Sequence, residues 1–210
     1  MIKYDPTGKR ILDIILASGF IVVFSPVYII TAIAIFVSDF HSPIYSQIRI
    51  GKDKKPFKFY KFRSMVINAD EILFNNKELL EQIRSGTNKI KDDPRITKVG
   101  KFIRKYSIDE FPQMFNVLKG DMSFIGPRAL RPDEFEKYEQ KGDKQKAKLE
   151  KLVSVRPGIT GYWQVNGRSN IDFDKRMDMV SYYVDNLSFK FDVEILLKTP
   201  KAVIAGDGAY

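Results

Sequence analysis

Residues 14–37, IILASGFIVVFSPVYIITAIAIFV, form a run of 24 positions without a charge. A straight helix of ~20 apolar residues spans the hydrocarbon core of a bilayer. The run is too long for the apolar region of a cleaved signal peptide, and its end lacks a convincing cleavage pattern. Lys3, Lys9 and Arg10 precede it, and Arg49, Lys52, Lys54 and Lys55 follow it. Basic flanks mark the cytoplasmic side. A helix that turns inside the membrane and leaves on the face it entered satisfies both flanks. Ser25-Pro26 offers the turning point. Pro26 withholds an N–H from the Val22 carbonyl, and Ser25 can bond a freed carbonyl. The arms 14–25 and 26–37 would each be ~18 Å long. Kinked spanning helices also contain proline, so the pattern leaves the re-entrant and spanning forms both open.

Beyond this run the pattern changes. PIYSQIRIG alternates and reads as a strand. In KPFKFYKFRSM, Phe57, Phe59 and Phe62 interleave with Lys58, Lys61 and Arg63. That predicts a half-buried strand with a basic solvent face, against a nucleic-acid stacking platform. NADEILFNNKELLEQIRSG is helical, with apolar positions at Ile72, Leu73, Leu79, Leu80 and Ile83 and a stop at Gly86. Residues 132–152 predict a charged, exposed helical stretch interrupted at Gly142, and residues 174–184 a further helix. An apolar alternation in LSFKFDVEILL closes the domain. The elements add up to a helix-rich α+β fold.

The chain has 210 residues and a formal charge of +9, which favours anionic partners. It has no cysteine, which excludes disulfides and thiolate chemistry, and its single histidine, His41, excludes a histidine-rich metal site. There is no Walker loop, dinucleotide glycine signature, serine elbow or kinase motif set. A basic phosphate- or nucleic-acid-binding protein without catalysis would explain the charge. It would not explain the uncharged apolar run.

The candidate chemistry lies in SIDEFPQ, residues 107–113. Ser107 and Glu110 have capping-box spacing, with Tyr106 and Phe111 at the staple positions, so the plain reading is a helix start. Upstream, residues 89–105 carry seven Lys or Arg, Arg95 and Arg104 among them. Cations that hold a phosphate beside carboxylates that act on it are what phosphate chemistry requires. In RPGITGYWQVNGRS, residues 156–169, several glycines and Pro157 tighten a loop that carries Arg156, Gln164, Asn166 and Arg168, a plausible ligand clamp.

Taken in order, KRILDIILA, the SP within the apolar run, QIRIG, FKFYKFRSM, DDPRITKVGKFIRKYSIDEFPQMFNVLKGDMSFIGPR, RPGITGYWQVNGRS and SFKFDVEILLKT resemble the bacterial sugar transferase family, the monotopic phosphoglycosyl transferases. They cover nearly the whole chain. The likeness is to the minimal catalytic form, without the additional four-helix membrane region of larger members.

The resemblance implies a re-entrant membrane helix over residues 1–40 and a membrane-associated cytosolic catalytic module with interfacial amphipathic helices over residues 41–210. It places the protein on the cytoplasmic face of a bacterial inner membrane. The implied reaction moves a sugar-1-phosphate from a UDP-sugar to a polyprenol phosphate, usually undecaprenyl phosphate, and releases UMP. Mg²⁺ is the implied cofactor, with Mn²⁺ as an alternative. The other partners are an anionic phospholipid membrane, a second copy in a homodimer and downstream glycosyltransferases, with no nucleic acid.

Residue by residue, the family's kink carries over to Ser25 and Pro26, and its catalytic and metal-binding pair to Asp109 and Glu110. Its basic phosphate-binding position carries over to Arg104. Lys61, Arg63, Arg128, Arg168 and Asp192 follow from its other motifs. Arg95 and Gln164 complete the candidate phosphate and nucleotide set. Asp109 is the expected nucleophile, while Glu110 assists with the cation or the acceptor's proton. Ala129 departs from the family's common GPRP, which puts the shape of that loop in doubt, and Tyr162 replaces a frequent Leu. Minimal family members often use a modified amino sugar, and the donor expectation leans that way.

Overall fold

The computed structural model describes residues 5–84, 90, 93–167 and 171–204. Helix α1 runs from Pro6 to Asp39 as one element of 34 residues. Asp5 starts it by accepting from the amides of Thr7 and Gly8, both at 3.2 Å, and Pro6 fits the first turn, where no amide is needed. Phe40 ends it in the left-handed region. Pro26 lies inside the helix, and Ser25 Oγ donates to the Val22 carbonyl at 2.9 Å. The hydroxyl thus satisfies the carbonyl that Pro26 leaves without an amide. The two arms expected from the sequence are one continuous helical element.

At 1.5 Å per residue α1 is about 51 Å long, and it touches the rest of the chain near both ends and in the middle. Arg10 donates to the carbonyls of Val117 and Leu118. Asp13 is buried and accepts from Ser123 Oγ at 2.9 Å and Phe124 N–H at 3.0 Å. Phe20, Phe24 and Tyr28 surround Phe111. Ile35 packs with Phe62 and Ile103, and Asp39 pairs with Arg63. The other face exposes Ile11, Ile15, Val22, Ile29, Ile33 and Phe40. Their spacing makes one apolar stripe, continuous across Pro26.

Strands β1 (Ile44–Ile50) and β2 (Pro56–Phe62) form an antiparallel hairpin with Ile44 opposite Phe62 and Ile50 opposite Pro56. Helices α2 (Ala69–Asn75) and α3 (Lys77–Arg84) follow. Asn76 splits the single helix expected there, its side chain accepting from Leu79 N–H at 3.0 Å. Then come α4 (Lys98–Lys105), a 3₁₀ turn (Ile108–Glu110), α5 (Gln113–Lys119) and β3 (Ser123–Ile125). Helices α6 (Pro132–Glu139) and α7 (Asp143–Val153) are divided at Gly142, as the sequence predicts. Strand β4 (Gly158–Thr160) pairs in parallel with β3, and α8 (Tyr162–Val165), α9 (Phe173–Asp185) and α10 (Phe189–Ile204) follow.

The result is helix-rich α+β, as expected, with the strands of the described residues in two short sheets. The closing alternation LSFKFDVEILL is helical instead. Ser188, Asp192 and Ile195 are its buried residues, and their spacing of four and three is that of a helix face. The charged segment 132–152 also does more than face solvent. Phe135, Tyr138, Leu149 and Leu152 build one apolar cluster with Leu130, Val153, Met177 and Val180 from outside it. A second cluster joins Phe59, Met114, Val117, Met122, Tyr183 and Ile195, and includes Ala17 of α1. The apolar helix therefore belongs to the folding unit.

Candidate active site

Strand β2 places the first cation. Phe57, Phe59 and Lys61 share one face by the two-residue period, so Lys61 points where Phe59 is buried, with Nζ 5.8 Å from the Phe59 ring centre. The basic solvent face expected of this strand does not include Lys61. Asn116 of α5, fully buried, fixes β2 from behind. It donates to the Lys58 carbonyl at 2.7 Å and accepts from Tyr60 N–H at 3.1 Å.

The carboxylates come from the 3₁₀ turn. Ser107 is left-handed at φ 57° and caps nothing with its side chain. The capping box expected of Ser107 and Glu110 is not formed. Glu110 Oε1 instead accepts from Lys61 Nζ at 3.0 Å and Arg128 NH1 at 3.1 Å. Charge-assisted bonds are roughly twice as strong as neutral ones, so two cations outcompete a backbone amide for this side chain. Asp109 is buried, and its Oδ2 lies 3.4 Å from Lys61 Nζ.

Arg128 is positioned by close backbone packing. Gly126, at the end of β3, abuts Gly158 of β4 so tightly that a Cβ on Gly158 would fall 2.0 Å from Gly126 N. Gly158 N–H donates to the Pro127 carbonyl at 2.7 Å and Gly126 N–H to the Thr160 carbonyl at 2.9 Å. The GPR and RPGITG segments are thus stitched together, and Ala129, buried where the family pattern has proline, leaves Arg128 on Glu110.

Electrostatics separates the neighbouring carboxyls. Burial pushes Asp109 above the usual carboxylate range, and the Glu110 charge adds to it, against Lys61 and Arg104. Burial also acts to raise Glu110, but Lys61 and Arg128 overcome it and hold that carboxyl well below its ordinary value. One carboxyl is firmly ionised. The other is a buried base of raised proton affinity.

The remaining sequence candidates divide. Arg104, on the last turn of α4, acts electrostatically on Asp109. Arg63 leaves the end of β2 in the other direction, donating to Asp39 and to the Ser42 carbonyl at 2.9 Å. It fastens the end of α1 instead of facing the dyad. Arg95 is buried in a two-point pair with Asp93, at 2.9 and 2.7 Å. Asp192 is fully buried and takes Lys9 Nζ and Tyr183 O–H, so it anchors the start of α1. Gln164 donates to the Ile159 carbonyl at 2.8 Å, while its buried Oε1 has no hydrogen-bond partner among the described residues. Arg168 lies outside the described residues.

Two arginines near Arg128 were not anticipated. Arg49 of β1 is buried over the Phe59 ring and donates to the Ala129 carbonyl at 3.1 Å. Burial, with Arg128 adding repulsion, brings its guanidinium down to about 10. Arg176 of α9 lies over Trp163 at 5.0 Å, and burial and Arg128 likewise lower it. The strand period points the other way: Ile44, Ile48 and Ile50 share one face of β1, the face a sequence would bury, yet Ile44 and Ile48 are exposed and Arg49 on the opposite face is buried.

Carboxylates held between cations, with more cations close by, suit a phosphate ester or anhydride. The comparison with known proteins agrees. Residues 4–206 match the profile of the bacterial sugar transferase family. The chain belongs to the bacterial sugar transferase family. It is 44% identical over 208 residues to the undecaprenyl-phosphate galactose phosphotransferase of Salmonella typhimurium, covering 96% of this chain and 41% of that one. It is 46% identical over 210 residues to the galactosyl transferase CpsE of Streptococcus agalactiae serotype III, covering 96% and 43%. The exopolysaccharide production protein ExoY of Rhizobium meliloti is 38% identical over 207 residues, covering 97% and 88%. The chain therefore spans less than half the length of the first two relatives and most of the third.

A divalent cation can be weighed against these residues. Among the described residues no group of three or more His, Cys, Asp or Glu stands ready to hold a metal. Mg²⁺ commonly takes one or two carboxylates and completes its shell with substrate phosphates and water. Asp109 and Glu110 meet that smaller demand.

Proposed function

We propose that this protein is a phosphoglycosyl transferase, moving a sugar-1-phosphate from a UDP-sugar to a polyprenol phosphate such as undecaprenyl phosphate and releasing UMP. The observation that carries the reading is the convergence of Lys61 and Arg128 on the Asp109–Glu110 pair, at 3.0–3.4 Å.

Asp109 attacks the sugar-linked phosphorus. A bond forms between its carboxylate oxygen and that phosphorus, the anhydride bond breaks, and UMP leaves with the bridging oxygen. The polyprenol phosphate oxygen then attacks the same phosphorus and frees Asp109. Covalent catalysis divides one encounter between two anions into two easier steps. Burial favours this role, because a raised proton affinity accompanies a stronger nucleophile once the group is ionised. Glu110, held ionised by its cations, fixes Lys61 and Arg128 where the phosphates arrive. Lys61 and Arg128 only balance the two carboxylates, so a bound diphosphate brings further negative charge. Arg104 offsets part of it. Mg²⁺ held by Asp109 and Glu110 would supply neutralising positive charge to the diphosphate.

The membrane reading rests on α1. Its exposed apolar stripe is the surface for the bilayer, while Lys9 and Arg10 near one end and Asp39 at the other are tied to the same domain. Both ends therefore stay on the domain's side, which supports a monotopic, re-entrant placement with the catalytic module on the cytoplasmic face of the inner membrane. Surface glycan assembly, which downstream glycosyltransferases would continue, is the setting.

UMP release in the presence of a UDP-sugar, Mg²⁺ and undecaprenyl phosphate tests the proposal, and sustained turnover should require all three. Release of UDP would mean ordinary glycosyl transfer. UDP-galactose belongs in the donor panel because the names of the Salmonella and Streptococcus relatives specify galactose or galactosyl transfer. N-acetylated amino sugars belong there on the likeness to minimal members.

A further inference from the structure

The turn that carries the dyad is not self-supporting. It is one 3₁₀ turn, entered through a left-handed Ser107. Within it Glu110 N–H donates to the Ser107 carbonyl at 3.2 Å and Phe111 N–H to the Ile108 carbonyl at 3.0 Å. Short 3₁₀ turns have poor hydrogen-bond geometry, and a non-glycine residue at positive φ persists only when its surroundings fix it. The surroundings here come from the apolar helix. Phe111, the residue after Glu110, sits edge-on to Phe20 at 4.8 Å and Phe24 at 5.5 Å, and against Tyr28 at 5.6 Å. Its carbonyl accepts from Met114 N–H at 3.0 Å and also from the Tyr28 hydroxyl.

We propose that Tyr28 is a positioning residue for the Asp109–Glu110 pair, acting through the Phe111 carbonyl. This rests on the reading of Asp109 as nucleophile. Tyr28 stands two residues past Pro26 in α1, so the hydroxyl that fixes the dyad is carried by the helix that meets the bilayer. The pose of α1 is thereby transmitted to the reacting carboxylate. The hydroxyl holds the turn, while Phe62 and Phe115 steady the ring, at 5.7 and 6.1 Å.

The test is Tyr28→Phe in the full chain, which keeps the ring and removes the hydroxyl. Hydrogen exchange over residues 107–115, measured in nanodiscs, should speed up several-fold while the rest of the chain is unchanged. The kcat, counted per enzyme molecule able to form the phosphosugar intermediate, should fall by about 10–100-fold, since small misplacements of reacting groups are costly. KM for the UDP-sugar should stay within about twofold, because the hydroxyl is engaged by the Phe111 carbonyl. Unchanged exchange would overturn the proposal. So would faster exchange with wild-type kcat, or a loss confined to KM. Tyr28→Leu, which also removes the ring contacts, should show the same local exchange and lower thermal stability. If the wild-type enzyme never acquires a phosphosugar on Asp109, the proposed reaction fails, and the exchange result still decides the contact.

Discussion

Lys61 and Arg128 meet on a single oxygen, Oε1 of Glu110, at 3.0 and 3.1 Å. They arrive from different supports, a hairpin strand and a loop stitched to a parallel strand pair. Asp109, one residue away, shares Lys61 at 3.4 Å, whereas Arg128 pairs with Glu110. The neighbouring carboxylates thus stand in unlike environments, and this asymmetry leads to different expectations for their replacement.

Asp109→Asn should abolish both turnover and the covalent phosphosugar intermediate, and it should also stabilise the fold. A carboxyl raised by burial is protonated more readily in the folded than in the unfolded chain. Stability from this group falls as pH rises through that window, and above it the cost is complete. Asparagine removes the charge and the cost. Glu110→Gln has the opposite sign. Its lowered carboxyl contributes stability that is present above the unfolded value and lost as pH falls through the folded one, so the variant gives that up at neutral pH. Turnover should drop severely and the Tm should fall, by about 2–4 °C for each kcal/mol lost in a chain of this size. Thermal scans beside a UMP-release assay check both, and Tm shifts of the same sign would refute the asymmetry.

Topology is open to a direct test because the chain has no cysteine of its own. Thr7 and Lys55 are exposed and lie on either side of the apolar run 14–37. With single cysteines at these positions, a membrane-impermeant thiol reagent applied to intact cells should label neither, and permeabilised cells should label both. Label at position 7 alone would mean that α1 crosses the membrane.

The hairpin strands, the division at Gly142 and the apolar helix were legible in the sequence because each depends on local period or a local breaker. Asp109, Glu110, Lys61 and Arg128 were legible as motifs, and the structure brings them together. Arg63, Arg95 and Asp192 look the same in a sequence as a phosphate ligand does, because a charged residue does not reveal its partner. Arg63 is taken by Asp39, and Asp192 by Lys9, which is 183 positions away. The closing segment was misread because LSFKFDVEILL satisfies a two-residue period and a helical face at once. Asp192 and Ile195, three positions apart, are both buried beside Tyr183, as one face of a helix requires. The left-handed Ser107 could not be anticipated, since a Ser-x-x-Glu spacing describes a common cap equally well.

The contact between Gly126 and Gly158 should be a sensitive point away from the charged groups. In Gly158→Ala the added Cβ would lie 2.0 Å from Gly126 N, 2.6 Å from Gly126 Cα and 2.7 Å from its oxygen, all backbone atoms that cannot swing aside. Strands β3 and β4 must therefore separate, at a cost of about 1–3 kcal/mol for forced overpacking. Arg128, two residues beyond Gly126, moves with them and leaves Glu110. The expected outcome is a fall in kcat on the order of a hundredfold together with a lower Tm. Gly19→Ala supplies the comparison, since a Cβ there meets nothing within 4 Å and the helix gains a better helix former. That variant should match or exceed the wild type in stability and keep its turnover. A Gly158→Ala enzyme with wild-type turnover would show that the position of Arg128 does not depend on this strand contact.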